Sequence, residues 1–132
     1  NRYCVDFQIK GFIRNSYAKK KSGLFSSIEE QNLNLIILPI QPGAFKITRI
    51  DYSYYQRGMF NVKGITRKFD NLNTMCKGNS PIEISLTKQS DAAEEKESIG
   101  TYKGLITIHY LDLYSNRLLS KAFDNQEIRI EK

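Results

Sequence analysis

The chain holds one histidine, two cysteines and no tryptophan in 132 residues. A single imidazole excludes a His-rich metal cluster. Two thiols exclude a Cys-ligated zinc ribbon and a disulfide-dense mini-protein. Long apolar runs are missing as well: the longest, Leu35–Leu38, stops at Pro39 and is far too short to cross a bilayer. Neither cysteine has a neighbouring histidine, there is no G-x-S-x-G, and no glycine-rich phosphate loop occurs. The carboxylate pairs Glu29-Glu30 and Glu94-Glu95 lie in polar runs, without the desolvation that acid catalysis needs. His109 sits mid-strand on the less apolar parity and reads as a surface or satisfied sheet histidine. The expectation is a non-enzyme with no catalytic residue, no metal site and no cofactor.

What the chain does have is charge of one sign and short-period patterning. Lys+Arg number 20 against 14 Asp+Glu, giving a formal net charge of +6 and a pI near 9.3. That balance favours anionic partners such as an acidic glycan, an anionic surface or nucleic acid. The basic residues are scattered, however, and the acidic stretch at 91–97 would repel phosphate, so nucleic acid is disfavoured. The densest basic run, Lys19-Lys20-Lys21 with Arg14 upstream, marks a candidate anion-binding loop. Hydrophobic residues at 40% and charged residues at 26% fit a globular chain. The length fits one domain over 1–132, which buries about 68% of the surface of its unfolded form.

Period two dominates. Tyr3, Val5, Phe7 and Ile9 share one face, with Asp6, Gln8 and Lys10 on the other, and Gly11 allows a bend before Phe12. Residues 14–32 read as a polar connection, with one helical turn at Ser26–Glu30. Asn32–Ile40 reads as a strand, and Gln41-Pro42-Gly43 as a turn with glycine in the left-handed position. In Ala44–Tyr55 the apolar parity flips near Thr48-Arg49, which predicts a bulge. Gln56-Arg57-Gly58 closes a hairpin whose return strand places Phe60 and Val62 inward. Asp70–Ser80 reads as a loop, Pro81–Thr87 as a strand, and Gln89–Ser98 as a solvated acidic stretch. Thr101–Leu113 is apolar on both faces, which marks a central strand. Asn116 marks a turn, and Gln126–Lys132 forms a final strand. The expected fold is all-β: an immunoglobulin-like β-sandwich of about seven or eight antiparallel strands with little helix.

Two binding features stand out. Tyr52, Tyr54, Tyr55 and Arg57 form a candidate binding surface at a hairpin end, since Tyr and Arg present rigid area with a polar tip. Period two sends Tyr52 and Tyr54 one way and Tyr55 the other. Cys4 and Cys76 form a candidate disulfide, which would stabilise the fold by about 4 kcal/mol in the chain-entropy model. The chain begins at Asn1 rather than Met, as a mature chain with its export signal removed would. Arg2-Tyr3 make Cys4 a poor lipobox cysteine, so an anchor would lie upstream.

Two segments carry a resemblance. Ile37–Ile47, a strand, a Pro-Gly turn and a strand, pairs with Gly100-Thr101-Tyr102-Lys103-Gly104-Leu105-Ile106-Thr107-Ile108. Together they resemble strand signatures of small bacterial extracytoplasmic β-sandwiches, including carboxypeptidase-regulatory-like and lipoprotein-type domains. The second segment alone also resembles a late strand of chaperone–usher pilins and adhesins. Ala44-Phe45 stand where Tyr would be usual, and Gln126–Lys132 extends past the point where a pilin ends. The resemblance implies a non-enzymatic, extracytoplasmic module (periplasmic, outer-membrane-associated or at the cell surface). It would act by protein–protein contact, as a lipoprotein-like or surface- or secretion-assembly subunit. The alternatives are an adhesin or pilin-like module completed by a partner's strand, and a basic OB-like barrel for single-stranded nucleic acid.

Overall fold

Alternation of apolar and polar side chains recurs along the chain, and among the described residues it yields strands. The computed structural model describes residues 5–20, 27–90 and 97–132, with side chains at 5–15, 30–89 and 97–132. The strands are β1 (Asp6–Lys20), β2 (Ser27–Gln41), β3 (Gly43–Arg57), β4 (Val62–Phe69), β5 (Thr74–Gly78), β6 (Ile82–Ser90), β7 (Gly100–Asp112) and β8 (Arg117–Glu131). No helix occurs among the described residues.

The strands pair in the order β4-β3-β7-β8-β1-β2-β6, with β5 also on β3. Pairing is therefore continuous across one sheet, whereas an immunoglobulin-like sandwich divides into two. The all-β expectation holds; the strands form a single curled sheet, and an immunoglobulin-like sandwich is not shown. It is also mixed: β1 runs parallel to β8 over Ile13–Asn15 and Arg129–Glu131. The cause is the length of β1. Residues 14–20, read from sequence as a connection, continue the strand along β2, so β1 reaches β8 on its other side. The helical turn expected at Ser26–Glu30 gives way to strand from Ser27 onward.

The sheet curls until its two edges face each other. Lys88 on β6 donates a hydrogen bond to the Lys68 carbonyl on β4, and its ammonium lies 4.8 Å from the centre of the Phe69 ring. The concave face encloses the core, which takes alternate residues from every strand. Leu33, Leu35 and Ile37 come from β2, Ile65 and Phe69 from β4, Ile84 from β6, and Ile106 and Ile108 from β7. β7 lies between β3 and β8, as a strand apolar on both faces requires.

Irregularities keep long strands in phase with the core. The register of β3 against β7 shifts between Ile47 and Arg49, so Phe45 and Ile47 point inward before it, and Ile50, Tyr52 and Tyr54 after it. In β1 the shift falls at Gly11, whose φ is +67°. Phe7 and Ile9 face inward before it, Phe12 and Arg14 after it. Two other glycines are fixed by crowding. A Cβ on Gly104 would lie 2.2 Å from the Ser53 carbonyl oxygen, and one on Gly43 would lie 2.9 Å from a Val5 methyl. Gly43 does not have the left-handed φ expected of it; close approach to Val5 is what requires glycine there.

Two further expectations change. Asp70–Ser80 contains β5, which continues the β4 edge along the first half of β3. The final strand is the end of a longer one, β8, which starts right after the turn at Asn116 (φ +56°).

Candidate functional site

Three places concentrate chemistry: one end of the enclosed interior, the outer face of β3 and β7, and the tip of the β3–β4 hairpin.

The interior end is built by parity. After the Gly11 bend, Arg14 inherits the inward face of β1. On β3 that face carries Tyr52 and Tyr54, and on β4 Arg67 alternates with Ile65 and Phe69. Two guanidinium groups and two phenols thus converge from three strands, and the carboxylate of Glu97 enters among them from the connection between β6 and β7. The Glu97 side chain has no exposed surface, and that of Arg14 is 2% exposed. Arg14 Nη2 lies 2.6 Å from Glu97 Oε2, and Arg67 Nε lies 3.7 Å from the same oxygen. The Tyr54 hydroxyl donates to Oε1 at 2.8 Å. The Tyr52 hydroxyl lies 2.9 Å from both oxygens and accepts from Arg14 Nε at 3.2 Å.

An aromatic ladder walls this cradle. Phe12 meets Tyr52 edge-on at 5.3 Å, Tyr52 stacks on Tyr54 at 6.3 Å, and Tyr54 stacks on Tyr102 at 4.4 Å. Burial first, and the Glu97 charge second, push the Tyr52 and Tyr54 phenols well above the ordinary 10.0. They therefore stay protonated, as donors must. The residues after Glu97 are fixed too: Ser98 N donates to Gln56 Oε1 at 2.8 Å, and the Tyr102 hydroxyl donates to the Ser98 carbonyl at 2.8 Å.

On the outer face, His109 Nε2 lies 2.9 Å from Asp51 Oδ2, and Arg49 Nη2 donates to that oxygen at 2.8 Å. Arg49 and His109 border an open groove of about 510 Å³ that also touches Thr48, Asp70 and Ser120. Both converge on Asp51 Oδ2, while Asp51 Oδ1 is buried with no hydrogen-bond partner among the described residues. No group of three or more metal-ligating side chains occurs among the described residues.

The hairpin tip is apolar and exposed. Gly58 N donates to the Asn61 carbonyl at 2.7 Å, and β4 starts at Val62. Met59 is 89% exposed and Phe60 94%; Val62 and Tyr55 are exposed as well. Phe60 and Val62 were expected inward. The inward parity of β4 is that of Ile65, Arg67 and Phe69, which sends even-numbered residues out. The Tyr55 ring lies over Gly64 across the strand pair and borders a groove of about 360 Å³ shared with Lys103 and Leu105.

The expected sites are thus redistributed. Tyr52 and Tyr54 are buried core residues, not surface; Tyr55 and Arg57 are exposed at the hairpin end. Arg14 is buried in a strand rather than exposed in an anion-binding loop. Lys19 and Lys20 are strand positions whose side chains lie outside the described residues, as Lys21 does entirely. Cys76 is a free, buried thiol on β5, and Cys4 lies outside the described residues, so the disulfide has no support. Burial pushes the Cys76 thiol up to about 11. Sequence reasoning missed Arg67 and Glu97. Arg67 was within reach, because it alternates with Ile65 and Phe69; Glu97 carries no local signal.

No protein-family model matches the chain, and no curated protein matches it in sequence.

Proposed function

We propose that the protein is a non-enzymatic binding domain that recognises an acidic protein partner through the β3–β4 hairpin. The observation that carries this is the exposed cluster Tyr55, Met59, Phe60 and Val62, beside Arg57 and Lys63. Surface aromatics, methionine and arginine are the residue types that dominate protein interfaces. No acidic residue occurs between Asp51 and Asp70, so the hairpin presents positive charge only. The adjoining groove, rimmed by Lys103, would admit one side chain of a partner. An extracytoplasmic, lipoprotein-like or surface-assembly setting rests on the strand signatures around Pro42-Gly43 and Gly100–Ile108. Strand complementation is disfavoured, because β8 pairs within the sheet and Lys88 bridges the two edges.

A photo-crosslinking residue at Phe60, with Leu118 as an exposed control position, tests the reading. A defined partner is expected at Phe60 only, weakened by salt and lost with Arg57→Glu/Lys63→Glu. Identical products at both positions would refute it. So would salt-sensitive binding to phosphatidylserine vesicles with no protein adduct.

A further inference from the structure

A buried carboxylate normally belongs to the framework that binds it. Glu97 does not: three donors stand on β1 and β3 and Arg67 on β4 lies at ion-pair distance, while Glu97 arrives from a connection between strands. The donors are held by their own contacts. Arg14 bonds Tyr52, Tyr52 packs on Phe12 and Tyr54, and Tyr54 packs on Tyr102. Two guanidinium groups and two phenols aimed at one point constitute a preorganised receptor for a carboxylate, whichever molecule supplies it.

A second feature adjoins this receptor. β1 and β8 pair over three positions, and beside that seam lies a crevice of about 290 Å³. Its walls include Ile9, Phe12 and Ile106, with Lys10, Gln126, Glu127 and Arg129 also lining it, so that two cations and one carboxylate share its rim. Phe12 belongs to both places, since its ring also packs on Tyr52. A crevice with an apolar wall and a charged rim thus shares Phe12 with the carboxylate receptor.

We propose that Arg14, Tyr52, Tyr54 and Arg67 form a binding site for a small monocarboxylate with an apolar tail, and that Glu97 is its internal competitor. The head group would take the place of the Glu97 carboxylate, and the tail would lie past Phe12 in the β1–β8 crevice. The exchange replaces one carboxylate with another, so the buried charge is unchanged and no arginine is left unpaired. Binding then costs the displacement of Glu97, the desolvation of the ligand's carboxylate and the ordering of the ligand.

Decanoate, below its micelle concentration, is the probe. Glu97→Ala removes the competitor, so decanoate is expected to raise its Tm saturably and to bind at least about tenfold more tightly than to the unaltered protein. Decanol, with the same tail and no charge, is expected not to bind. Adding Tyr54→Phe to Glu97→Ala should weaken decanoate about tenfold, through loss of one hydrogen bond to a charged group. Absence of saturable binding to Glu97→Ala, equal binding by decanol, or equal affinity in the unaltered protein would overturn the proposal. Should Glu97→Ala not fold, the unaltered protein decides. Decanoate is expected to shift the ring resonances of Tyr52 and Tyr54 in an NMR titration, and unmoved resonances refute the site.

Discussion

The two ends of the enclosed interior are held by different forces. At one end Phe7 stacks on Phe45 at 4.8 Å, meets Tyr110 at 5.4 Å and lies 5.9 Å from Phe123. At the other, Arg14 and Arg67 converge on Glu97. The aromatic end spreads its stabilisation over many weak contacts, so a smaller ring leaves a partial loss. The polar end concentrates it in a few strong contacts between desolvated charges, and any one removed strands the others. One end tolerates change in proportion to the atoms lost; the other responds in full to a single change.

The sharpest way to break this contrast is Arg14→Met. It is expected to lose about 3–5 kcal/mol in urea unfolding, the usual cost of orphaning a buried charge. The triple change Arg14→Met/Arg67→Met/Glu97→Met should recover most of that loss. A triple variant less stable than Arg14→Met would show that the charges contribute net stability and erase the distinction. Alkaline titration comes next. Tyr52 and Tyr54 hold their protons in the folded state, whereas unfolded phenols ionise near pH 10. Their stabilisation is therefore complete below that pH. It falls as pH rises above it, by about 1.4 kcal/mol per pH unit for each phenol. Urea midpoints at about pH 8 and about pH 11 should differ accordingly, and Tyr52→Phe/Tyr54→Phe should flatten the slope.

At the aromatic end, Phe7→Leu is expected to lose only about 1.5 kcal/mol, because neighbouring rings close part of the gap. Cys76, opposite Phe45 in register, gives a probe of that end. In a Cys4→Ser background its thiol should react with a disulfide reagent only at the rate of unfolding, since burial holds it protonated up to about 11. Rapid labelling of native protein would mean that this end opens locally. The smallest effect belongs outside both: Tyr55→Ser should change stability by less than about 0.5 kcal/mol, its ring being 76% exposed.

The same contrast governs what could be read from the chain. The aromatic end was legible because Phe7, Ile9, Phe45, Ile47 and Tyr110 follow simple alternation. So were both phase changes: Gly11 announces one, and the parity flip at Thr48-Arg49 the other. Arg14 and Arg67 occupy inward positions by the same count, but a charged residue on an apolar face reads locally as an end of the strand. Their true environment depends on Glu97, more than 80 residues from Arg14 in sequence, arriving to compensate them. Long-range pairing also explains the sheet. Alternation specifies which face is inward; it does not specify that β1 should find β8, and that contact joins the strands into one curled sheet.

The parallel seam between β1 and β8 ties the order of synthesis to solubility. The ribosome must deliver all of the other described strands before β1 meets its second neighbour, so that side of β1 stays unsatisfied until β8 emerges. A chain interrupted ahead of Arg117 would present this backbone to other copies of itself, and intermolecular strand addition would compete with release from the quality-control machinery.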